Sequence, residues 1–141
     1  MSDFQSRSGL TGRTYEEQIA GWLTDHGFTI TGRNIRHESG IQFDIAAISP
    51  FGEPVAIECK ASDDNAPEAS RGMRRSDNRW KVLGYLWALR VWRQRGELAP
   101  RYMLFTSDIP APGSPQRVLL DMAEALGDLT IVHVPYETVT P

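Results

Sequence analysis

Hydrophobic positions along the chain change period several times, and each change marks an element. Tyr15, Ile19, Trp22, Leu23 and His26 recur at helical spacing. Thr14 with Glu17 three residues on forms a capping-box start, and Gly27 is placed as a C-cap. Residues before this helix are polar without period, which predicts a loose N-terminal arm over about residues 1–11. Phe28 to Ile35 reads as a first strand. Ile41 to Ile48 and Pro54 to Lys60 are apolar, branched runs separated by turn chemistry at Ser49, Pro50, Phe51 and Gly52, which predicts a hairpin.

The strongest helical pattern runs from Asn78 to Gln94, with Ser76 or Asp77 as N-cap and Gly96 as stop. Trp80, Leu83, Trp87 and Val91 make one stripe, widened by Tyr85, Leu86, Leu89 and Trp92. A helix apolar over so much of its circumference is buried or meets a second chain. Its rings are expected in the core rather than as a base-stacking platform. Arg101 to Thr106 reads as a buried strand. Ser114 and Pro115 then open a helix that Gly127 closes, with Leu119, Leu120, Met122, Ala123 and Leu126 inward, and Leu129 to Val134 is a last strand. The order α-β-β-β-α-β-α-β predicts one α/β domain over residues 1–141, a mixed central β-sheet flanked by helices.

Alternation along the strands sorts the side chains of the hairpin. Val55, Ile57 and Cys59 share one face of the second strand, and Ala56, Glu58 and Lys60 the other. Phe43, Ile45 and Ala47 share a face of the first, with Asp44 and Ala46 opposite. Asp44, Glu58 and Lys60 thus interrupt two apolar strands, and antiparallel pairing can bring them to one edge. Two carboxylates and an amine on an apolar surface are costly unless used. A divalent cation relieves the repulsion, and hard cations such as Mg2+ take oxygen ligands. A lysine beside the metal can orient a water or stabilise charge on a phosphate, which points to metal-assisted phosphodiester hydrolysis.

The single cysteine excludes an internal disulfide, no stretch is apolar enough to span a bilayer, and no signal-peptide pattern opens the chain, so a cytoplasmic, non-membrane protein is expected. Cys59 itself reads as a small buried hydrophobe. A net charge of −3 gives no overall basic footprint for nucleic acid, but Arg71, Arg74, Arg75, Arg79 and Lys81 crowd one stretch and are the expected nucleic-acid contacts. Ser62 and Asp63 follow the motif strand and can help line a cleft. Gln42 stands near Asp44, while His37 reads as a loop residue and His133 as structural.

Asp44 followed by Glu58, Cys59 and Lys60 resembles the PD-(D/E)XK nuclease superfamily, although Phe43 stands where the superfamily name places proline. Upstream, Gly12, Arg13, Thr14, Tyr15 and Glu16 lead into Ile19 to Leu23 and then Gly27 and Phe28. That opening is similar to Mrr-like restriction endonucleases and archaeal Holliday-junction resolvases. The resemblance covers roughly Gly12 to Lys60, and beyond it only the order of elements. It implies a restriction-endonuclease-like αβββαβ core followed by a further helix and strand. It implies metal ligation by Asp44, Glu58 and the Cys59 backbone carbonyl. Glu16 would serve as the first-helix acid, directly or through water, with Glu17 the competing assignment. Lys60 would act on the water or the transition state, and Lys81 would be the polar residue over the site. The expected protein is a Mg2+-dependent DNA endonuclease, with Mn2+ able to substitute. It would be restriction-like or junction-resolving and would act as a homodimer. An exonuclease-like helper shares the chemistry but needs a DNA end. The rival reading is a non-catalytic nucleic-acid-binding or protein-interaction domain that kept the fold.

Overall fold

The computed structural model describes residues 3–61, 73 and 76–137, with side chains of the first helix from residue 13 onward. Its elements are α1 (Asp3–Asp25), β1 (Thr29–Arg36), β2 (Gln42–Ile48), β3 (Pro54–Lys60), α2 (Ser76–Gln94), β4 (Arg101–Thr106), α3 (Val118–Ala125) and β5 (Leu129–His133). They build one five-stranded sheet in the order β1-β2-β3-β4-β5. β1, β2 and β3 pair antiparallel, joined by tight turns, and β3, β4 and β5 pair parallel through the α2 and α3 crossovers. The mixed, helix-flanked α/β sheet is the predicted class, with every strand in its predicted place to within a residue or so.

Helices lie on both faces. Tyr15, Ile19, Ala20 and Leu23 of α1 pack on Ile45, Ala47, Val55, Ile57 and Phe105. Val82, Leu86 and Leu89 of α2, with Leu120 and Ala123 of α3, pack on Ala56, Tyr102, Leu104 and Leu129. The alternation predicted for β3 holds, since Val55 and Ile57 enter one core and Ala56 the other.

Four expectations change. α1 begins at Asp3 and not near Thr14; helical residues that carry no apolar stripe leave no periodic signal. On α2 the buried stripe is Val82, Leu86 and Leu89, while Trp80 and Trp87 are 65% and 68% exposed. Both stripes fit the helical period, and pattern alone does not say which faces the sheet. α3 starts at Val118 with no side-chain cap, and of the side chains expected inward Leu120 and Ala123 are buried while Leu119, Met122 and Leu126 are exposed; Ser114 closes a separate turn, accepting the Arg117 N–H at its carbonyl, and among the described residues its own hydroxyl finds no partner. Phe43 lies in the α2/α3 core with Ile41, away from Ile45 and Ala47. The β2–β3 register runs from Ile48–Pro54 to Ile45–Ile57 and ends there, so simple alternation is not carried past Asp44.

Candidate active site

The end of the β2–β3 ladder opens a fork, and the polar residues of the hairpin stand in it. Asp44 is the next residue on β2 after the last pair, and Glu58 the next on β3. Asp44 Oδ2 reaches across and accepts the Cys59 N–H at 2.8 Å. Glu58 is only 4% exposed. A cleft of about 170 Å³ opens here, lined by Asn34, Gln42, Phe43, Asp44, Glu58, Lys81 and Tyr85. α2 therefore supplies Lys81 and Tyr85 over the fork, four residues apart on one helical face, with the Lys81 ammonium 5.8 Å from the Tyr85 ring.

Burial pushes the Glu58 carboxyl up to about 9, reinforced by a hydrogen bond to Asp44 and by its charge; Lys60 and Lys81 pull the other way. A buried glutamic acid thus keeps its proton against an aspartate within hydrogen-bonding reach. Tyr102 on β4 donates its hydroxyl to Glu58 Oε2 over 3.5 Å. Sequence reading missed Tyr102, which looks like any aromatic in an apolar strand. The parallel register Glu58–Leu104 puts Tyr102 two residues away on the same face.

The other predicted residues fall into three groups. Lys60 sits on the Glu58 face of β3, half-buried, outside the cleft lining but near enough to act electrostatically on Glu58. Glu16 is 19% exposed and Glu17 71%; Arg33 of β1 pairs with both, at 3.5 Å and 2.7 Å. Burial raises the Glu16 carboxyl, followed by the charge of Asp44, against Arg33. Glu16 is thus the α1 acid that feels the fork, and Glu17 belongs to the surface. Arg79 lies in a different groove, between α2 and α3, with Nη1 donating to the Met73 carbonyl at 3.3 Å. Arg71, Arg74, Arg75, Ser62 and Asp63 lie outside the described residues.

Gln42 lines the cleft near Asp44; with its amide oxygen turned to Arg36, it accepts from that guanidinium at 2.8 Å, as a satisfied surface glutamine does. His37 is tied to Ser39 and sits edge-on to Trp92, and the His133 Nε2–H donates to the Ser107 carbonyl at 2.8 Å, a structural role. The Cys59 thiol is pushed up by burial, which suits an inert core side chain.

The donor chemistry of the fork fits a hard divalent cation. Two carboxyl groups share a confined space where only one readily loses its proton, and a cation can replace that proton. Among the described residues no group of three or more His, Cys, Asp or Glu side chains forms a ready-made metal cage. The fork's own side-chain donors are therefore Asp44 and Glu58, with Glu16 set back.

These elements define a class: a mixed five-stranded sheet with flanking helices, consistent with a restriction-endonuclease-like core. In fold the chain is similar to the protein in the solved EndoMS–dsDNA2 complex, with a TM-score of 0.54 and 13% identity over 89% of this chain and 46% of that one. It thus spans about half the length of that protein. A protein of unknown function from Silicibacter pomeroyi, SPO1766, aligns with a TM-score of 0.44 and 20% identity over 93% of this chain and 76% of its own, and is too distant to bear on function. No protein-family model and no curated protein matches the sequence. Among the described residues no helix is long and apolar enough to cross a membrane.

Proposed function

We propose that the protein is a metal-dependent nuclease that hydrolyses phosphodiester bonds in DNA, acting as an endonuclease of restriction-like or junction-resolving type. The observation that carries this reading is the buried Glu58 held against Asp44 at the β2–β3 fork, with Lys60 next on the same face and Lys81 above. The likeness in fold to a protein solved on double-stranded DNA supports it, as does the motif resemblance of Asp44, Glu58 and Lys60.

In this reading Asp44, Glu58 and the Cys59 carbonyl would hold Mg2+ or Mn2+, with Glu16 contributing through water. The bound cation would supply Lewis acidity toward a phosphate oxygen and its bound water. The chain's own residues do the rest. The Cys59 N–H fixes the Asp44 carboxylate. Tyr102 orients Glu58 from the dry side. Lys60 orients the attacking water and offsets charge developing on phosphate. Lys81 contacts the DNA backbone, joined by Arg79 and by Arg71, Arg74 and Arg75 of the preceding segment.

The working unit in this reading is a homodimer joined through the α2–α3 face, because a chain with one such site cuts one strand at a time.

The test is cleavage of supercoiled plasmid, linear duplex and a four-way junction with Mg2+ or Mn2+. Wild type should cut the plasmid, and Asp44→Asn and Lys60→Ala should each lose at least a hundredfold in rate while remaining folded. Cutting of linear DNA alone would mark an exonuclease. Binding without cutting would mark a non-catalytic domain. Wild-type rates in either variant would remove the assigned site.

A further inference from the structure

β1 departs from regular geometry next to the fork. Its pairing with β2 slips between Ile30 and Gly32. At Gly32 an added Cβ would stand 2.7 Å from Ile35 Cδ1, so the Ile35 side chain is folded back over Gly32 and would have to move to admit a larger residue there. Between them, Asn34 has φ +51°, and among the described residues it is the one non-glycine residue with positive φ. Asparagine tolerates this conformation better than most residues, yet it is unusual inside a strand. Strain of this kind persists where the surroundings enforce it, and it clusters at functional sites.

The consequence is positional. Asn34 stands between the Arg33–Ile45 and Ile35–Phe43 pairs, hence across from Asp44. Arg33 turns to α1, where it meets Glu16 and Glu17. Asn34 turns to the other side and lines the cleft with Asp44, Glu58 and Lys81. Asn34 is exposed, and among the described residues its side-chain amide has no hydrogen-bond partner, so it is open to a ligand in the cleft. A free amide brings two donors without charge. Beside the Asp44 carboxylate, which repels a phosphate, it offers the substrate a neutral donor.

We infer that Asn34 is a substrate-contacting residue whose side-chain amide donates to a non-bridging phosphate oxygen of the nucleic-acid backbone at the cleft. The inference rests on reading this cleft as the site of phosphodiester cleavage.

Asn34→Gly and Asn34→Asp separate contact from conformation, because glycine accepts positive φ freely and aspartate keeps the shape but adds a repelling charge. Expected for Asn34→Gly is a melting temperature equal to or above wild type, with kcat/KM for plasmid cleavage lowered at least tenfold. Asn34→Asp should fall further, with a raised KM. A residue kept only for its backbone predicts the same melting temperature for glycine but cleavage at the wild-type rate. If Asn34→Gly cuts within twofold of wild type while Asp44→Asn is inactive, this inference is overturned and the site stands. If Asp44→Asn also cuts normally, the reading of the cleft fails and the inference falls with it.

Discussion

A carboxyl group buried beside another carboxyl group holds its proton, and that has a measurable cost to the fold. Glu58 is raised by burial first and by Asp44 second, from 4.5 to about 9. Below about pH 4.5 both folded and unfolded chains carry this proton, and stability is unaffected by it. As pH rises toward 9 the unfolded chain has released the proton while the folded chain retains it, so stability falls. In chelator, wild type should lose melting temperature from about pH 5 to about pH 9. Glu58→Gln, neutral throughout, should gain on it by several degrees, since about 1 kcal/mol moves the midpoint by roughly 4 °C in a domain of this size. Adding Mn2+ should raise wild type and leave Glu58→Gln nearly unmoved, because a cation bound only to the folded site stabilises by about 2.7 kcal/mol at a hundredfold excess over its dissociation constant. Parallel melting curves for the two proteins at every pH would mean that Glu58 does not hold its proton more tightly in the folded chain than in the unfolded one. At this scale much of the site was legible. Asp44, Glu58 and Lys60 are polar breaks in apolar strands, and alternation puts Glu58 and Lys60 on one face of β3, whereas Asp44 meets Glu58 where the β2–β3 ladder ends. Tyr102 and Asn34 were not legible: one depends on a parallel register and the other on a backbone angle, and neither leaves a mark in the polar pattern.

Among the elements, strands were easier to place than helix faces. A five- to eight-residue apolar run closed by turn residues has few alternative placements, and β3 and β4 run over the residues predicted for them. A helix that is apolar nearly all round has several, and α2 turns inward through Val82, Leu86 and Leu89 because that stripe meets Ala56, Tyr102 and Leu104 of the sheet. On α1 the same ambiguity concerned neighbouring acids, whose directions differ by about 100° around the helix. The helix phase puts Glu16 toward the fork and Glu17 into solvent, with Arg33 bridging them. Glu16→Gln should therefore weaken Mn2+ binding and slow cleavage by ten- to a hundredfold, the usual effect of losing a residue that supports a metal site from outside its ligands. Glu17→Gln should change each by less than twofold, as expected for an exposed ion pair. Titration of both variants with Mn2+, followed by melting temperature, distinguishes the positions; equal effects would return the choice to open.

For the whole molecule, the apolar stripe left outside on α2 continues onto α3. Trp80 lines a groove of about 220 Å³ with Leu83, Pro115 and Leu119, and Trp87 on α2 and Met122 and Leu126 on α3 are further exposed apolar side chains of the two helices. The exposed parts of these side chains present on the order of 700 Å² per copy, close to the roughly 800 Å² per partner of a standard interface. In the homodimer reading the occupant is a second copy: a two-fold pairing that lays α2 of one copy on α3 of the other would cover this apolar surface twice. The same face borders the site, since Trp80 lines the groove and Lys81, the next residue, lines the cleft. Sedimentation should show a dimer at micromolar concentration. Trp80→Glu with Trp87→Glu should make it a folded monomer whose melting temperature falls only by what dimer formation contributed, because neither ring is in the core. The monomer should still nick supercoiled plasmid but linearise it at least tenfold more slowly, as two cuts would then need two separate encounters. A wild-type protein that remains monomeric throughout rules out a second copy on this face, and a double variant that stays dimeric moves the interface elsewhere. A monomeric variant that linearises plasmid as fast as wild type separates dimer formation from cutting both strands.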